Sequence, residues 1–264
     1  MAALADARLA ASGGRLVVLG ICGAQGSGKS TLAGWLVADC AARGIAAAAL
    51  SIDDLYLTRA ERADLAARVH PLFATRGVPG THDVALGQEV LAALDRGAPA
   101  ALPRFDKGAD DRAPEDTWPP APKALRLLVL EGWCLGARPQ AEAELARPVN
   151  DLEAREDVQG SWRRHANAAL AGEYRRLFAR LDALVLLAAP GFEVVARWRD
   201  EAEEALRRAG APHAMDAAAI ARFVQHYERI TRHILAEMPA RADLVARLDG
   251  ERRLVGLAGP GVLA

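Results

Sequence analysis

Residues 23–30 read Gly-Ala-Gln-Gly-Ser-Gly-Lys-Ser, and no other stretch limits so sharply what the chain can become. The pattern is a glycine, four free positions and then Gly-Lys-Ser, the template of a phosphate-binding loop. Glycines let the backbone turn tightly and aim successive N–H groups at phosphate oxygens. Lys29 brings a compact charge to the β- and γ-phosphates, and the Ser30 hydroxyl can ligate Mg2+. The helix that follows turns its positive end toward the same anion. Gly23, Ala24, Gln25, Gly26, Ser27, Gly28, Lys29, Ser30 and Thr31 are therefore the expected contacts of a nucleotide's phosphates.

The flanks support this reading. The segment 15–22 is apolar and β-branched, as in a buried strand. After the loop, 31–40 reads as a helix with Leu32, Trp35, Leu36 and Val37 on one face. Strand, glycine loop and helix together are the context the motif requires.

A chain of 264 residues, 52% hydrophobic and 25% charged, suits a single large α/β domain with a substantial core. A net charge of -1 argues against a general nucleic-acid or membrane-surface role. Cys22, Cys40 and Cys134 lack metal-ligand spacing and fit a reducing cytoplasm. No signal peptide is expected in the Ala-rich residues 1–14, which read as a flexible N-terminal segment. No stretch approaches membrane-spanning length.

Alternating elements then imply one doubly wound, mainly parallel sheet with helices on both faces and a helical lid. A second buried strand, 45–50, runs into Asp53 and Asp54, at the end of the sheet where α/β folds bind ligands. Thr58 caps a short helix over 59–69. Thr81 or Asp83 can cap the helix over 84–95. Residues 98–123 are Pro-rich, and regular structure is not expected there. A long irregular segment in a compact domain is usually functional or disordered, and Arg104, Phe105, Asp106, Lys107, Asp111 and Arg112 point to a substrate loop. A third strand, 125–130, ends in Glu131. A carboxylate there matches the second Mg2+ element of phosphate-loop enzymes, although strand-end carboxylates also cap helices. A helix over 161–181 and a fourth strand over 183–188 follow. The helix over 192–209 is strongly charged and reads either as a solvated face or, by its position, as part of a mobile lid over 192–215. The helix over 216–238 carries an apolar stripe of Ile220, Phe223, Val224, Tyr227, Ile230, Ile234 and Met238, read as core. His226 and His233 lie off that stripe and are expected in solvent. Two further strands, 243–248 and 253–257, flank the turn pair Asp249-Gly250.

Several stretches together resemble one family: Ser51-Ile-Asp-Asp-Leu-Tyr-Leu-Thr58, Arg76-Gly-Val-Pro-Gly-Thr-His-Asp83, Pro103-Arg-Phe-Asp-Lys107, Asp111-Arg-Ala-Pro114, Thr117-Trp-Pro119, Leu130-Glu-Gly-Trp-Cys-Leu-Gly136 and Ala196-Arg-Trp-Arg199. They resemble the plant-type D-glycerate 3-kinases and their bacterial and fungal relatives. The likeness to pantothenate kinase, uridine kinase and phosphoribulokinase is more distant. It spans about residues 16–249, and the chain departs from the plant enzymes in the charged run 148–174. The resemblance implies the phosphate-loop kinase fold, ATP and Mg2+ as cofactors, and phosphoryl transfer to a small hydroxy acid. It puts Asp53 at the acidic position facing the acceptor hydroxyl and Glu131 at the strand-end carboxylate. Lys107 falls where pantothenate kinases carry a substrate-contacting histidine, and Arg197 and Arg199 fall in the lid helix.

The expected catalytic set is then Lys29, Asp53 and Arg199, with Ser30 and Glu131 on the metal. Asp53 is the expected base, and Asp54 is its alternative or assists the metal. The acceptor is expected among Asp54, Tyr56, Arg76, His82, Asp83, Arg104, Lys107 and Arg112. An anionic acceptor calls for a cation, and arginine's planar fork matches a carboxylate; Arg76, Arg104 and Arg112 are open alternatives. Two other readings compete. A kinase of another alcohol, such as pantothenate or a nucleoside, would want more aromatic surface than these loops offer. A non-catalytic nucleotide-binding regulator would not need Asp53 or the charged loop.

Overall fold

A computed structural model describes residues 1–208 and 215–261. The expected lid segment 192–215 therefore falls partly, at 209–214, outside the described residues. The chain opens with helix α1 (Ala2–Ala11), strand β1 (Val17–Gly23) and helix α2 (Lys29–Ala42). Then come β2 (Ala47–Ser51), α3 (Arg59–Arg68) and α4 (Val84–Asp95). The Pro-rich segment carries a hairpin of two short strands, β3 (Phe105–Asp106) and β4 (Asp111–Arg112). After β5 (Leu127–Gly132) there are four short helices, α5 (Glu142–Leu145), α6 (Asp151–Glu156), α7 (Ser161–Ala171) and α8 (Glu173–Phe178). The chain closes with β6 (Ala183–Ala188), α9 (Glu193–Arg208), α10 (Ala217–Glu237), β7 (Leu244–Leu248) and β8 (Leu254–Ala258).

Six strands form one sheet in the order β2-β5-β1-β6-β7-β8. All pairs are parallel except the last, β7 with β8. The central strands β1 and β5 are buried along their whole length, as strands covered on both faces must be. One apolar cluster joins Val18, Leu50, Leu128, Leu130 and Leu186 to Phe73, Leu91 and Tyr174. A second joins Val17, Leu19, Ile21, Val129 and Val185 to Leu36 and Trp198. The alternation along each strand sends successive side chains to opposite clusters.

Local chemistry sets the helix starts. Thr58 and Glu61 form a reciprocal capping box on α3, the Asp83 carboxylate accepts from Leu86 N–H at 2.9 Å to start α4, and Asp216 caps α10. No helix among the described residues is long and apolar enough to cross a membrane.

Five expectations need correction. The Pro-rich residues 98–123 do hold regular structure, because the Asp106 carboxylate fixes a turn that pairs β3 with β4. Residues 1–14 are not flexible throughout: α1 is an alanine-rich helix, buries Leu4 and Ala5 and is tied by Arg8 to Asp243 at 2.6 Å. Trp35 is 55% exposed, because α2 buries Ala33, Leu36 and Cys40 instead. The expected helix over 161–181 breaks at Gly172, whose backbone leaves helical geometry between α7 and α8. His226 is buried, edge-on to Trp162, and His233 is half-buried, rather than solvated.

Candidate active site

The phosphate loop joins β1 to α2. Gly26 and Gly28 sit in the left-handed region at φ 76° and 89°, which glycine enters without strain. Gly26 also packs on α9 so closely that an added Cβ would lie 2.7 Å from the Cβ of Trp198. Helix α2 starts at Lys29 with no side-chain cap, so no side chain occupies its N-terminal N–H groups. That is the cradle an anion needs.

Beside the loop, the Ser30 hydroxyl donates to Glu131 Oε1 at 2.8 Å. The carboxylate is buried, and its Oε2 has no hydrogen-bond partner. A buried carboxylate oxygen left unpaired is costly. A hard cation beside Ser30 would satisfy it, so these two residues fit Mg2+. Among the described residues no cluster of three or more His, Cys, Asp or Glu gathers for a metal. That suits an ion completed by phosphate oxygens and water.

A capping box at the end of β2 separates the two neighbouring aspartates. Ser51 Oγ accepts from Asp53 N–H at 3.2 Å, and Asp54 Oδ2 accepts from Ser51 N–H at 3.4 Å. Asp54 also accepts from Phe105 N–H at 3.2 Å and pairs with Arg104 at 3.4 Å. Its carboxylate thus fastens the Pro-rich hairpin to the strand end. Burial raises its pKa against the pull of Arg104. Asp53 points the other way. Its Oδ1 accepts from the Tyr56 hydroxyl at 2.7 Å and its Oδ2 from Lys107 Nζ at 2.8 Å. Burial pushes the Asp53 carboxyl up, but Lys107 and Lys29 outweigh it and hold the group at about 2.

Asp53 lines a cleft of about 60 Å3 with Gln25, Lys29, Tyr56, Arg76, Lys107, Trp133, Arg199, Phe223 and Tyr227. Four cations therefore converge on one carboxylate next to the phosphate loop. A larger groove of about 530 Å3, lined by Arg138, Arg175, Arg241 and Asp243 among others, shares no residue with this cleft and takes in no residue of the phosphate loop.

The remaining expected residues are held elsewhere. Arg104 is committed to Asp54 and its own neighbour's carbonyl. Arg112 donates to Asp83 at 3.0 Å and to the Tyr56 carbonyl at 3.2 Å, so Asp83 serves as helix cap and ion-pair partner. His82 is buried, stacks on Tyr56 with ring centroids 4.7 Å apart, and meets the Tyr174 hydroxyl at 2.5 Å. Burial depresses its pKa to about 4, leaving a neutral packing residue. Arg76 bonds Asp110 and lies over the Phe105 ring at 5.5 Å, yet still lines the cleft.

On α9 the two arginines part company. Arg199 lines the cleft, pairs with Glu203 and lies over Phe223 at 5.4 Å. Arg197 reaches instead to Gly250 O and Glu251. Near Arg197, Arg252 donates to the Gly26 carbonyl at 2.6 Å, bonds Glu201 and covers Trp198. The β7–β8 turn thereby clasps α9 to the phosphate loop, an arrangement that sequence pattern did not suggest. Trp133, Phe223 and Tyr227 were likewise missing from the expected site. The Tyr227 hydroxyl donates to the Arg76 carbonyl at 3.0 Å and Trp133 Nε1 to the Gly77 carbonyl at 2.8 Å. Both aromatics brace the loop that carries Arg76. The only sequence signal for Tyr227 was a hydroxyl within an otherwise apolar stripe.

A phosphate loop on a mainly parallel sheet, a buried Ser–Glu pair beside it and a carboxylate facing the loop across a cationic cleft define a phosphate-loop kinase. The chain belongs to the family that includes the kinase mug58 of Schizosaccharomyces pombe, an uncharacterized kinase with which it is 37% identical over 225 residues, 81% of this chain and 79% of that protein. The chloroplastic D-glycerate 3-kinase of Arabidopsis thaliana is 30% identical over 254 residues, 89% of this chain but only 53% of the longer plant protein. Among solved structures, D-glycerate 3-kinase from Cryptococcus neoformans superposes with a TM-score of 0.82 at 24% identity, covering 97% of each chain. No family model matches the chain. The protein is an ATP-dependent small-molecule kinase.

Proposed function

We propose that this kinase transfers the γ-phosphoryl group of ATP to the 3-hydroxyl of D-glycerate, giving 3-phosphoglycerate and ADP. The observation that carries the reading is the convergence of Lys29, Arg76, Lys107 and Arg199 around Asp53 in one small cleft. That much positive charge suits an anionic acceptor brought against a triphosphate. The names of the plant and fungal relatives support glycerate as that acceptor.

Phosphoryl transfer asks the protein for position and charge rather than covalent chemistry. Arg76, on the loop braced by Tyr227 and Trp133, and Lys107 clamp the acceptor carboxylate. Asp53 meets the hydroxyl at the other end, orients it and takes its proton. The hydroxyl oxygen bonds to the γ-phosphorus while the bond to the β-phosphate oxygen breaks, leaving its electron pair on ADP. Lys29, the loop N–H groups and Arg199 neutralise charge on the transferring group. Mg2+ held by Ser30 and Glu131 would add to that neutralisation when bound. The primary 3-hydroxyl lies farthest from the carboxylate. Attack by the 2-hydroxyl would crowd two anions together, which is costly in a water-poor cleft. The cleft's small volume favours a three-carbon acid over a nucleoside, and the charge around Asp53 favours catalysis over nucleotide sensing alone.

The test is to incubate the protein with MgATP and D-glycerate. The expected product feeds phosphoglycerate kinase and its dehydrogenase partner, oxidising NADH without a mutase. Product that feeds enolase directly would refute the position. Absence of glycerate-dependent ADP formation would refute the substrate.

A further inference from the structure

We propose that Lys107 is a gate on the base. With no acceptor bound, it occupies the Asp53 oxygen that must take the acceptor proton, and the acceptor's own carboxylate draws it away. The proposal rests on the kinase reading above and adds how wasteful hydrolysis is held down.

Both oxygens of Asp53 are occupied, one by Tyr56 and one by Lys107. Their two partners differ in freedom. Tyr56 is buried between His82 and Phe105, stacked on the first and edge-on to the second, so its hydroxyl stays. The Lys107 side chain is 62% exposed, and among the described residues its ammonium bonds Asp53 alone. Its ammonium can therefore swing aside without unpacking any neighbour, while Lys29 still faces the Asp53 carboxylate.

The hairpin that carries Lys107 does not need to move. Asp106 Oδ1 accepts from Gly108 N–H at 2.8 Å and from Ala109 N–H at 3.1 Å, fixing the turn. Buried Arg62 holds Asp110 at 2.7 Å, and Arg76 holds the same carboxylate. The motion belongs to a four-carbon side chain on a fixed mount. A carboxylate entering beside Arg76 gives the ammonium a second anion within the same cleft.

The consequence concerns water. In the acceptor's absence a water molecule in the cleft meets an Asp53 whose two oxygens are already taken. Its attack on the γ-phosphorus, with the proton passing to Asp53 Oδ2 and the β–γ bridging bond breaking toward ADP, lacks its base. Once the hydroxy acid draws Lys107 aside, Oδ2 is free where the hydroxyl arrives. Acceptor binding and base release become one event, a form of induced fit.

The experiment compares acceptor-free ADP formation from MgATP in the wild-type protein and in K107M, a substitution of similar length without charge. K107M is expected to hydrolyse ATP about tenfold faster without acceptor, a modest fraction of what a positioned base contributes, while its kcat/KM for glycerate falls. K107R, which can keep the ion pair, should gain less hydrolysis than K107M. D53N in the K107M background should remove the gain, because Asp53 is the base that was unmasked. Thermal melting checks that each variant is folded, as expected for an exposed side chain. Acceptor-free hydrolysis in K107M no faster than wild type would overturn the gate, as would a gain that survives D53N. These arms contain no acceptor, so a wild-type protein that ignores glycerate would refute the substrate reading and leave the gate to be decided by the hydrolysis rates.

Discussion

Asp53→Asn and Asp54→Asn are neighbouring substitutions of the same chemical kind, and the structure expects them to fail differently. Asn at 53 keeps an oxygen for the Tyr56 hydroxyl but turns an amide toward Lys107 and can accept no proton. Loss of a general base costs roughly 10²-fold or more in kcat, equivalent to about 2.7 kcal/mol on the barrier. ATP affinity should change little, because the phosphate cradle is built from 23–31 and not from β2. Asn at 54 retains one oxygen for either Phe105 N–H or Ser51 N–H and loses the other bond along with the Arg104 pair. One backbone bond to a charged group and one partly exposed ion pair amount to about 2 kcal/mol of stability. That loss should appear as a lower melting temperature with kcat within a few-fold of wild type. A coupled ADP-release assay over both substrates, beside a melting curve, separates the two outcomes. A hundredfold loss of kcat in Asp54→Asn with near-normal turnover in Asp53→Asn would show that the wrong carboxylate has been chosen.

Further substitutions probe α9 and the buried ion pair that joins α10 to α6. Arg199→Ala should lower kcat more than it raises KM, because its charge is needed most as the phosphoryl group transfers. Arg197→Ala, whose partners are Gly250 and Glu251, should be milder; unchanged kcat in both would return α9 to a solvated face. Arg229→Met should destabilise by about 3–5 kcal/mol, because it leaves buried Glu153 without the guanidinium that grips both its oxygens. For a chain of this length that is a fall of about 5–9 °C in Tm. Adding Glu153→Leu should recover most of it, and a double variant no more stable than the single would refute the buried-pair argument.

What the sequence disclosed and what it withheld follow from the range of the forces involved. The phosphate loop was legible because its function is local: the glycines, Lys29, Ser30 and the flanking strand and helix lie within about thirty residues, and each is needed by the same anion. The strands were legible for the same reason, as continuous apolar runs. Asp53 and Asp54 could not be told apart with certainty, since their roles depend on a capping box that turns one carboxylate back to Ser51 and Phe105 and the other outward. The three arginines posed the same problem at longer range. Arg104, Arg112 and Arg76 are chemically equivalent in a string of letters, and all three meet aspartates in space. The difference is where those pairs lie. Asp54 and Asp83 draw Arg104 and Arg112 into the joints between loops, whereas Arg76 rests against Phe105 beneath Tyr227, on a backbone that both Tyr227 and Trp133 brace. Helical periodicity assigned Tyr227 to the core, and its burial agrees. The same side chain nevertheless ends in a hydroxyl that holds the Arg76 carbonyl, because α10 sets Tyr227 edge-on to Trp133, just past the end of β5. A periodic pattern can say which face of a helix is apolar, but which end of that face meets a site is decided by the sheet order, and sheet order is set by contacts between strands far apart in the chain.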